Sequence, residues 1–232
     1  VGQNKIDTDI REINIYKLRN RTTTDTLKVA IAHLKAGSDY SAQRGEEIQL
    51  LMNYLQLQGQ NDNFIVCGDF NIYAASEPAF QKLVNPSYLP IAFYDPVNKM
   101  GDWNNNWNFA EVHTQSTRSG NGDDCFSGGG MDDRFDFILM SGSIINGTKG
   151  ITYSDGSYWA VGQDGNRFNG SINSPSNYSL PSDVVSALYN MSDHLPVVAE
   201  LSFGEVGFAS LATDNSFEVI MQNPVTEELQ FR

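Results

Sequence analysis

Hydrophobic and polar positions alternate early in the chain. In "DIREINIYKL", residues 9–18, Ile13, Ile15 and Leu18 stand against Glu12, Asn14 and Lys17, a pattern close to period two that predicts a strand. "NRTTTD" turns the chain and "TLKVAIAHLKAG" returns, so 9–36 reads as a β-hairpin. From Gln43 the period lengthens. Ile48, Leu51, Met52 and Leu55 recur at helical spacing in "QRGEEIQLLMNYLQLQ", with acidic residues in the first turn. The apolar run Phe64, Ile65, Val66 predicts a strand over 64–69. "SEPAFQKL" then predicts a short helix over 76–85, capped by Ser76 with Pro78 in its first turn.

The region 98–133 is rich in Asn, Gly and Asp and reads as a long surface excursion. "DRFDFILMSG" at 133–142 predicts another strand, and 143–180 is rich in turns, with Asp-Gly at 155–156 and 164–165. "DVVSALYNM" predicts a short helix and "LPVVAELSF", 195–203, a final strand. Strands and helices that alternate across long loops predict a mixed sheet of the α+β kind, and no repeat of fixed period is present. After Phe203 the character changes: 204–216 reads as a linker and 217–232 as a separate segment. Val1 in place of Met, and the stop at Arg232, read as a chain cut at both ends.

Composition narrows the function. With 40% hydrophobic residues the chain can bury a large core, and no apolar run approaches the ~20 residues of a membrane span. The formal net charge of −13 disfavours a basic-patch binder of nucleic acid, although an acidic enzyme can act on phosphate esters when metal ions screen the approach. Cys67 and Cys125 are too few for a disulfide framework; a bridge between them is left open. Asn-x-Ser/Thr triplets begin at Asn20, Asn146, Asn169, Asn177 and Asn190.

Candidate chemistry gathers at strand ends. Asp69 and Asn71 close the strand 64–69, His33 ends another, Asp136 lies in "RFDFILM", and Asp193 and His194 stand just before the last strand. A carboxylate-rich cluster with one imidazole suits a hard divalent cation, which takes a few oxygen ligands and keeps exchangeable waters. His194 beside them could orient or deprotonate a water if a carboxylate such as Asp136 holds its other nitrogen. Taken singly, Asp69 is an ordinary turn residue and His194 an ordinary structural histidine. Asp136 is harder to dismiss, because a buried carboxylate needs a partner. Arg134 is the ordinary candidate and His194 the functional one.

In that order, "HLKAG", "VCGDFN", "RFDFILMS" and "SDHLPV" resemble the endonuclease/exonuclease/phosphatase superfamily over roughly residues 9 to 203. The resemblance implies a four-layer αββα sandwich, two packed mixed sheets flanked by helices, with the active site at one end. It implies a metal-dependent phosphoesterase, a secreted phosphodiesterase or nuclease, that hydrolyses a phosphodiester by metal- and His-assisted water attack. Asp69 and Asn71 would touch metal and scissile phosphate, with Asp69 orienting the water. His194 would be general base or phosphate-stabilising imidazole, and Asp136 its positioning carboxylate. Asp193 would lie in the metal shell, and His33 would act as acid or contact the phosphate. Mg2+ is the expected ion, Mn2+ and Ca2+ satisfying the same oxygen donors; the expected partner is a phosphodiester substrate, and the expected state a monomer.

One departure matters. Family members carry, before this point, an Asn-bearing strand and a strand ending in a metal-ligand Glu. Neither precedes residue 9, and Glu12 sits in the wrong context, so the domain, 1–203, reads as incomplete at the N-terminus and the fragment as weak or inactive. The rival reading is a secreted binding or adhesion module that keeps the fold without catalysis. Other features read blandly. Asp123, Asp124, Asp132 and Asp133 lack the spacing of a calcium loop, Arg118 reads as a surface arginine, and Trp103 and Trp107 as loop packing. "NPVTEELQF" resembles the opening of a Bacteroidetes C-terminal sorting domain, which implies a secreted or cell-surface protein.

Overall fold

The alternating residues of the first hairpin build the centre of a six-stranded sheet in the computed structural model, which describes residues 2–58, 62–85, 91–120 and 125–204. β1 (Gly2–Ile6), β2 (Ile13–Arg19) and β3 (Thr26–His33) run antiparallel in succession. The helix α1 (Ser41–Leu57) crosses over to β4 (Phe64–Asp69), which lies parallel to β3. After α2 (Pro78–Val84), β5 (Phe93–Tyr94) and β6 (Asp136–Ser141) complete the order β1-β2-β3-β4-β6-β5. There follow α3 (Gly142–Ile145), β7 (Ile151–Tyr153), β8 (Trp159–Ala160), α4 (Ser182–Met191), β9 (Val197–Val198) and β10 (Leu201–Phe203). β7 pairs with β10 and β8 with β9, each antiparallel.

Period-two side-chain alternation divides the sheet into two faces, both covered. Ile13, Ile15, Ala30, Ala32, Phe64, Val66, Phe137 and Leu139 face α1 and α2, where Ile48, Leu51, Met52, Leu55, Phe80 and Leu83 meet them. Leu27, Ile65 and Met140 face the other way, onto Ile144, Ile151 and Tyr153. Beyond lies α4, whose Val185 and Leu188 pack with Met131, Ile172 and Leu195. This is a mixed α/β arrangement layered as helices, the six-stranded sheet, the two antiparallel strand pairs and α4. Where a second mixed sheet was expected, the described residues form two separate two-stranded pairs. α1 and α2 approach closely because Gly45 carries no side chain; a Cβ there would stand 2.9 Å from Pro78 Cβ. Arg44 crosses the same seam, buried and donating from Nε to Glu77 Oε2 at 3.0 Å.

Several expectations change. β1 has no counterpart in the hydrophobic pattern, because "GQNKI" is an edge strand with a mostly exposed, polar surface. α1 starts at Ser41, which leaves its first turn without an acidic residue. At the start of α2 the N-cap position falls on Glu77, not Ser76, though Pro78 does sit in the first turn. The final strand is broken into β9 and β10, which join different partners. The excursion at 98–133 is not confined to the surface: Trp103, His113, Thr117 and Met131 within it are fully buried. Cys67 keeps its thiol, so the Cys67–Cys125 bridge does not form. Burial pushes the Cys67 thiol up to about 12. The linker from 205 onward, the sorting-like segment 217–232, Asp123 and Asp124 lie outside the described residues. Among the described residues no helix is long and apolar enough to cross a membrane.

Candidate active site

Strand register, before any loop, assembles half of the site. His33 at the end of β3 is directly opposite Asp69 at the end of β4, and Asp69 is directly opposite Asp136 at the start of β6. Three ionisable side chains thus form one row across three strands. By alternation they share the face of Ile65, Cys67, Ile138 and Met140, away from α1 and α2. A one-residue slip would turn them to the other face, so the apolar pattern that holds the register also holds the row. Gly68 is required by the same geometry. Its φ is +130°, and a Cβ there would stand 2.0 Å from the Ala32 carbonyl oxygen. The next turn places Asn71 at φ 49°, in the left-handed region that asparagine tolerates.

His194 reaches this row from the segment before β9. Its Nδ1 lies 2.8 Å from Asp136 Oδ2, and its Nε2 lies 3.9 Å from Asp69 Oδ2. His33 Nε2 lies 3.3 Å from that same Asp69 oxygen. The Asn71 backbone N–H donates to Asp69 Oδ1 at 2.9 Å, and its side-chain amide donates to the Leu34 carbonyl at 3.3 Å. Asp136 also accepts from Thr114 Oγ1 at 2.6 Å. The structure therefore brings His33, Asp69, Asn71, Asp136 and His194 together.

Asp193 is placed differently. Its Oδ2 accepts from the Ser127 backbone N–H at 2.8 Å and lies 3.5 Å from Gln115 Nε2, so it ties down a loop beside the row. Arg134 does not serve Asp136; it is buried and pairs through both terminal nitrogens with Asp95, each at 2.8 Å. Arg118 is also buried, with its guanidinium between the rings of Phe126 and Tyr189 and donating to the Tyr189 carbonyl. Trp103 packs on Phe80 and Phe137, whereas Trp107 is exposed. His113, the third histidine, is enclosed between the carbonyls of Met131 and Trp103. Among the described residues no three His, Cys, Asp or Glu side chains gather as a metal-holding group.

Thr114 and Gln115 are the residues that sequence reasoning missed. Gln115 Nε2 stands 2.7 Å from His194 Nε2, and Thr114 holds Asp136 by side chain while its carbonyl accepts from the Leu195 N–H at 2.8 Å. Their signal was weak: "HTQST" is a short polar run with β-branched residues inside a region otherwise rich in Gly and Asn.

The electrostatics follow from crowding. Burial, helped by repulsion from Asp136, pushes the Asp69 carboxyl up to about 6. Burial opposes charge on His194, yet the hydrogen bond and field of Asp136, with Asp69 and Asp193 beyond, outweigh it and push the imidazole up to about 9. Burial lowers His33, assisted by the positive charges of Arg11 and His194. Burial likewise pushes Asp133 up to about 6, against a hydrogen bond from Asn104. The two site imidazoles are thus driven apart, one toward the cation and one toward the neutral form.

No family model matches the chain, and no curated protein matches it. Solved structures do, by shape. The human Nocturnin catalytic domain with bound sulfate anion aligns at TM-score 0.52 and 18% identity, over 88% of this chain and 59% of that one. D. rerio TDP2 complexed with single strand DNA product aligns at TM-score 0.53 and 15% identity, over 87% of this chain and 67% of that one. A humanized D. rerio TDP2 aligns at 0.51 and 16%, over 87% and 66%. At these identities the likeness shows a common fold, the deoxyribonuclease-I-like fold. The chain spans 59% of the Nocturnin catalytic domain.

Proposed function

We propose that this site hydrolyses a phosphoester, and specifically a phosphodiester, by attack of a water, within the endonuclease/exonuclease/phosphatase superfamily. One observation carries the reading: an imidazole pinned by a carboxylate, His194 on Asp136 at 2.8 Å, meets a second imidazole over the partly buried carboxylate Asp69. The ordered motifs support it, as does the fold held in common with a sulfate-bound Nocturnin and a DNA-bound TDP2. A phosphodiester carries one negative charge that grows in the transition state, and preorganised cationic and hydrogen-bonding groups stabilise it.

The donors fit a divalent cation of the magnesium kind. Such an ion takes one or two carboxylates and leaves its remaining positions to water and substrate phosphate. Asp69 and the Asn71 amide oxygen would hold it, and Asp69, raised to about 6 by burial and by Asp136, is a carboxylate that a cation would favour in its charged form. When bound, Mg2+, or Mn2+ or Ca2+ in its place, supplies Lewis-acid polarisation of a phosphoryl oxygen. The chain's own groups do the rest. Asp136, itself held by Thr114, fixes the plane of His194 and favours its imidazolium form. Nε2–H then presents a positive donor to a phosphoryl or leaving oxygen, the Gln115 side-chain amide 2.7 Å away turning its oxygen to that N–H or giving way to substrate. Gln115 limits the swing of that ring. His33, held toward the neutral form, accepts a proton from the attacking water. Asp193 acts on this centre by anchoring the Gln115 and Ser127 segments.

The proposed location, secreted or at the cell surface, rests on the residue pattern of 223–231 alone. The test of activity is hydrolysis of bis-p-nitrophenyl phosphate and of single-stranded DNA by the whole protein as its gene encodes it, with Mg2+ and with EDTA. Metal-dependent cleavage that His194→Ala abolishes is the expected result. Cleavage absent with every divalent ion, or untouched by His194→Ala, overturns the assignment.

A further inference from the structure

At the opposite end of the β3–β4 pair the surface reverses its charge. Lys28 pairs in register with Phe64, five positions before His33 pairs with Asp69, which sets this end roughly 17 Å from the row of site residues. A cavity of about 320 Å³ opens there, lined by Lys17, Thr26, Lys28, Asp62, Asn63 and Lys149. Three of the chain's seven lysines meet in this one place, on a protein of net charge −13. Random scatter of so few cations over an acidic surface does not concentrate them in a concavity.

The floor is built from main chain and a buried amide. Asn63 is buried, and its Nδ2 donates to the Thr26 carbonyl at 3.4 Å and the Lys149 carbonyl at 2.9 Å, clipping the segment before β7 to β3. Lys28 Nζ stands over the ring of Phe64, 4.8 Å from its centroid, and donates to the Gln58 carbonyl at 3.3 Å, so its ammonium is held at the cavity wall. The resident anion is Asp62, which takes Lys28 Nζ at 2.7 Å and Lys149 Nζ at 3.6 Å. Burial acts to raise the Asp62 carboxyl, but Lys28 and Lys149 hold it below the ordinary carboxylate range. One carboxylate against three ammonium groups leaves an excess of two positive charges.

We propose that this cavity is a second ligand site, for a small phosphate-bearing anion, separate from the hydrolytic centre. The charge excess matches a phosphate monoester dianion, and the volume lies at the small end of ligand pockets, enough for a phosphorylated metabolite and not for a folded partner. A long polyanion is disfavoured by the net charge of −13 on the chain as a whole. The ligand phosphate competes with Asp62 for Lys28 and Lys149 and draws in Lys17 from the rim. Thr26 supplies a hydroxyl that can donate to a phosphate oxygen.

The test is a titration of the 15N-labelled chain with inorganic phosphate, and in parallel with glucose 6-phosphate, in EDTA so that no divalent ion bridges phosphate to Asp69. Saturable shifts at the amides of Thr26, Lys28, Asn63 and Lys149 are expected. Lys149→Ala should weaken binding about tenfold, the loss of one charge-assisted contact. Asp62→Asn should tighten it by a similar factor, because the competing anion is gone. Lys149→Ala and Asp62→Asn both break the same surface ion pair, so opposite effects on affinity separate a ligand site from a merely structural salt bridge. Shifts confined to the neighbours of His194, shifts that never saturate, or an Asp62→Asn variant that binds no better than wild type overturn the proposal. A response to single-stranded DNA with none to either small phosphate would also overturn it, in favour of a nucleic-acid contact.

Discussion

The Asp136→Asn exchange tests the centre of the site through protein stability, independently of any substrate. Asparagine keeps the shape, can still accept from Thr114 Oγ1 and His194 Nδ1, and removes only the charge. The rise of His194 from 6.5 to about 9 corresponds to roughly 3 kcal/mol of preference for the imidazolium in the folded protein. Burial opposes that rise; the hydrogen bond and charge of Asp136 are the largest contributions in its favour. The sign follows from proton linkage. A histidine raised on folding contributes stability that is fully present below its unfolded value of 6.5 and is lost as pH climbs through about 9. Loss of Asp136 also relieves its repulsion of Asp69, which offsets part of the cost. A net destabilisation of about 2 kcal/mol near pH 6, falling toward zero near pH 10, is expected. Urea unfolding of wild type and variant in EDTA across that range, with the His194 Hε1 resonance followed by NMR, gives both quantities. A stability difference that does not change with pH, or a wild-type His194 that titrates near its ordinary value, would refute the wiring drawn here.

Other outcomes follow from single contacts. Gly68→Ala should cost more than about 3 kcal/mol in chemical unfolding, since backbone oxygen of Ala32 occupies the space its Cβ needs; an unfolding midpoint like that of wild type would show that β3 and β4 can part freely. Asp95→Asn strands a buried guanidinium and should cost about 3–5 kcal/mol, whereas the pair Asp95→Leu with Arg134→Met should cost clearly less, and equal losses would place the energy in packing rather than charge. Cys67, partly buried and raised to about 12, should react with a thiol reagent near pH 8 about a thousandfold more slowly than an unfolded cysteine, in a Cys125→Ser background, and equal rates would contradict that raised value.

What could be read in advance depended on how local the physics was. β2, β3, β4 and β6 announced themselves because each strand carries its own apolar period, and the same parity argument set Asp136 apart from Phe135 and Phe137. The meeting of Asp136 with His194 came through the ordered motifs, since residues 58 apart in the chain leave no mark of contact in their spacing. β1 was hidden for the opposite reason: an edge strand with little to bury needs no apolar pattern. Arg134 found Asp95 instead of Asp136, a choice made by the fold of the loop between β5 and β6. That loop misled most. Its Asn and Gly residues serve tight turns, among them Asn98 and Asn105 at positive φ, and these let Trp103 and His113 return to the interior. Thr114 and Gln115 ride on the same segment and were lost with it.

The row from His33 through Asp69 to Asp136 also bears on how such a protein can change over time. Because strand pairing supplies these groups, the surrounding loops can lengthen, shorten or exchange residues while the reactive core stays aligned, much as a vice keeps its jaws when its handle is replaced. Under the proposed hydrolysis, variation in preference for one ester over another is cheap on this scaffold, and loss of activity is to be sought first in anything that lets β6 slide against β4.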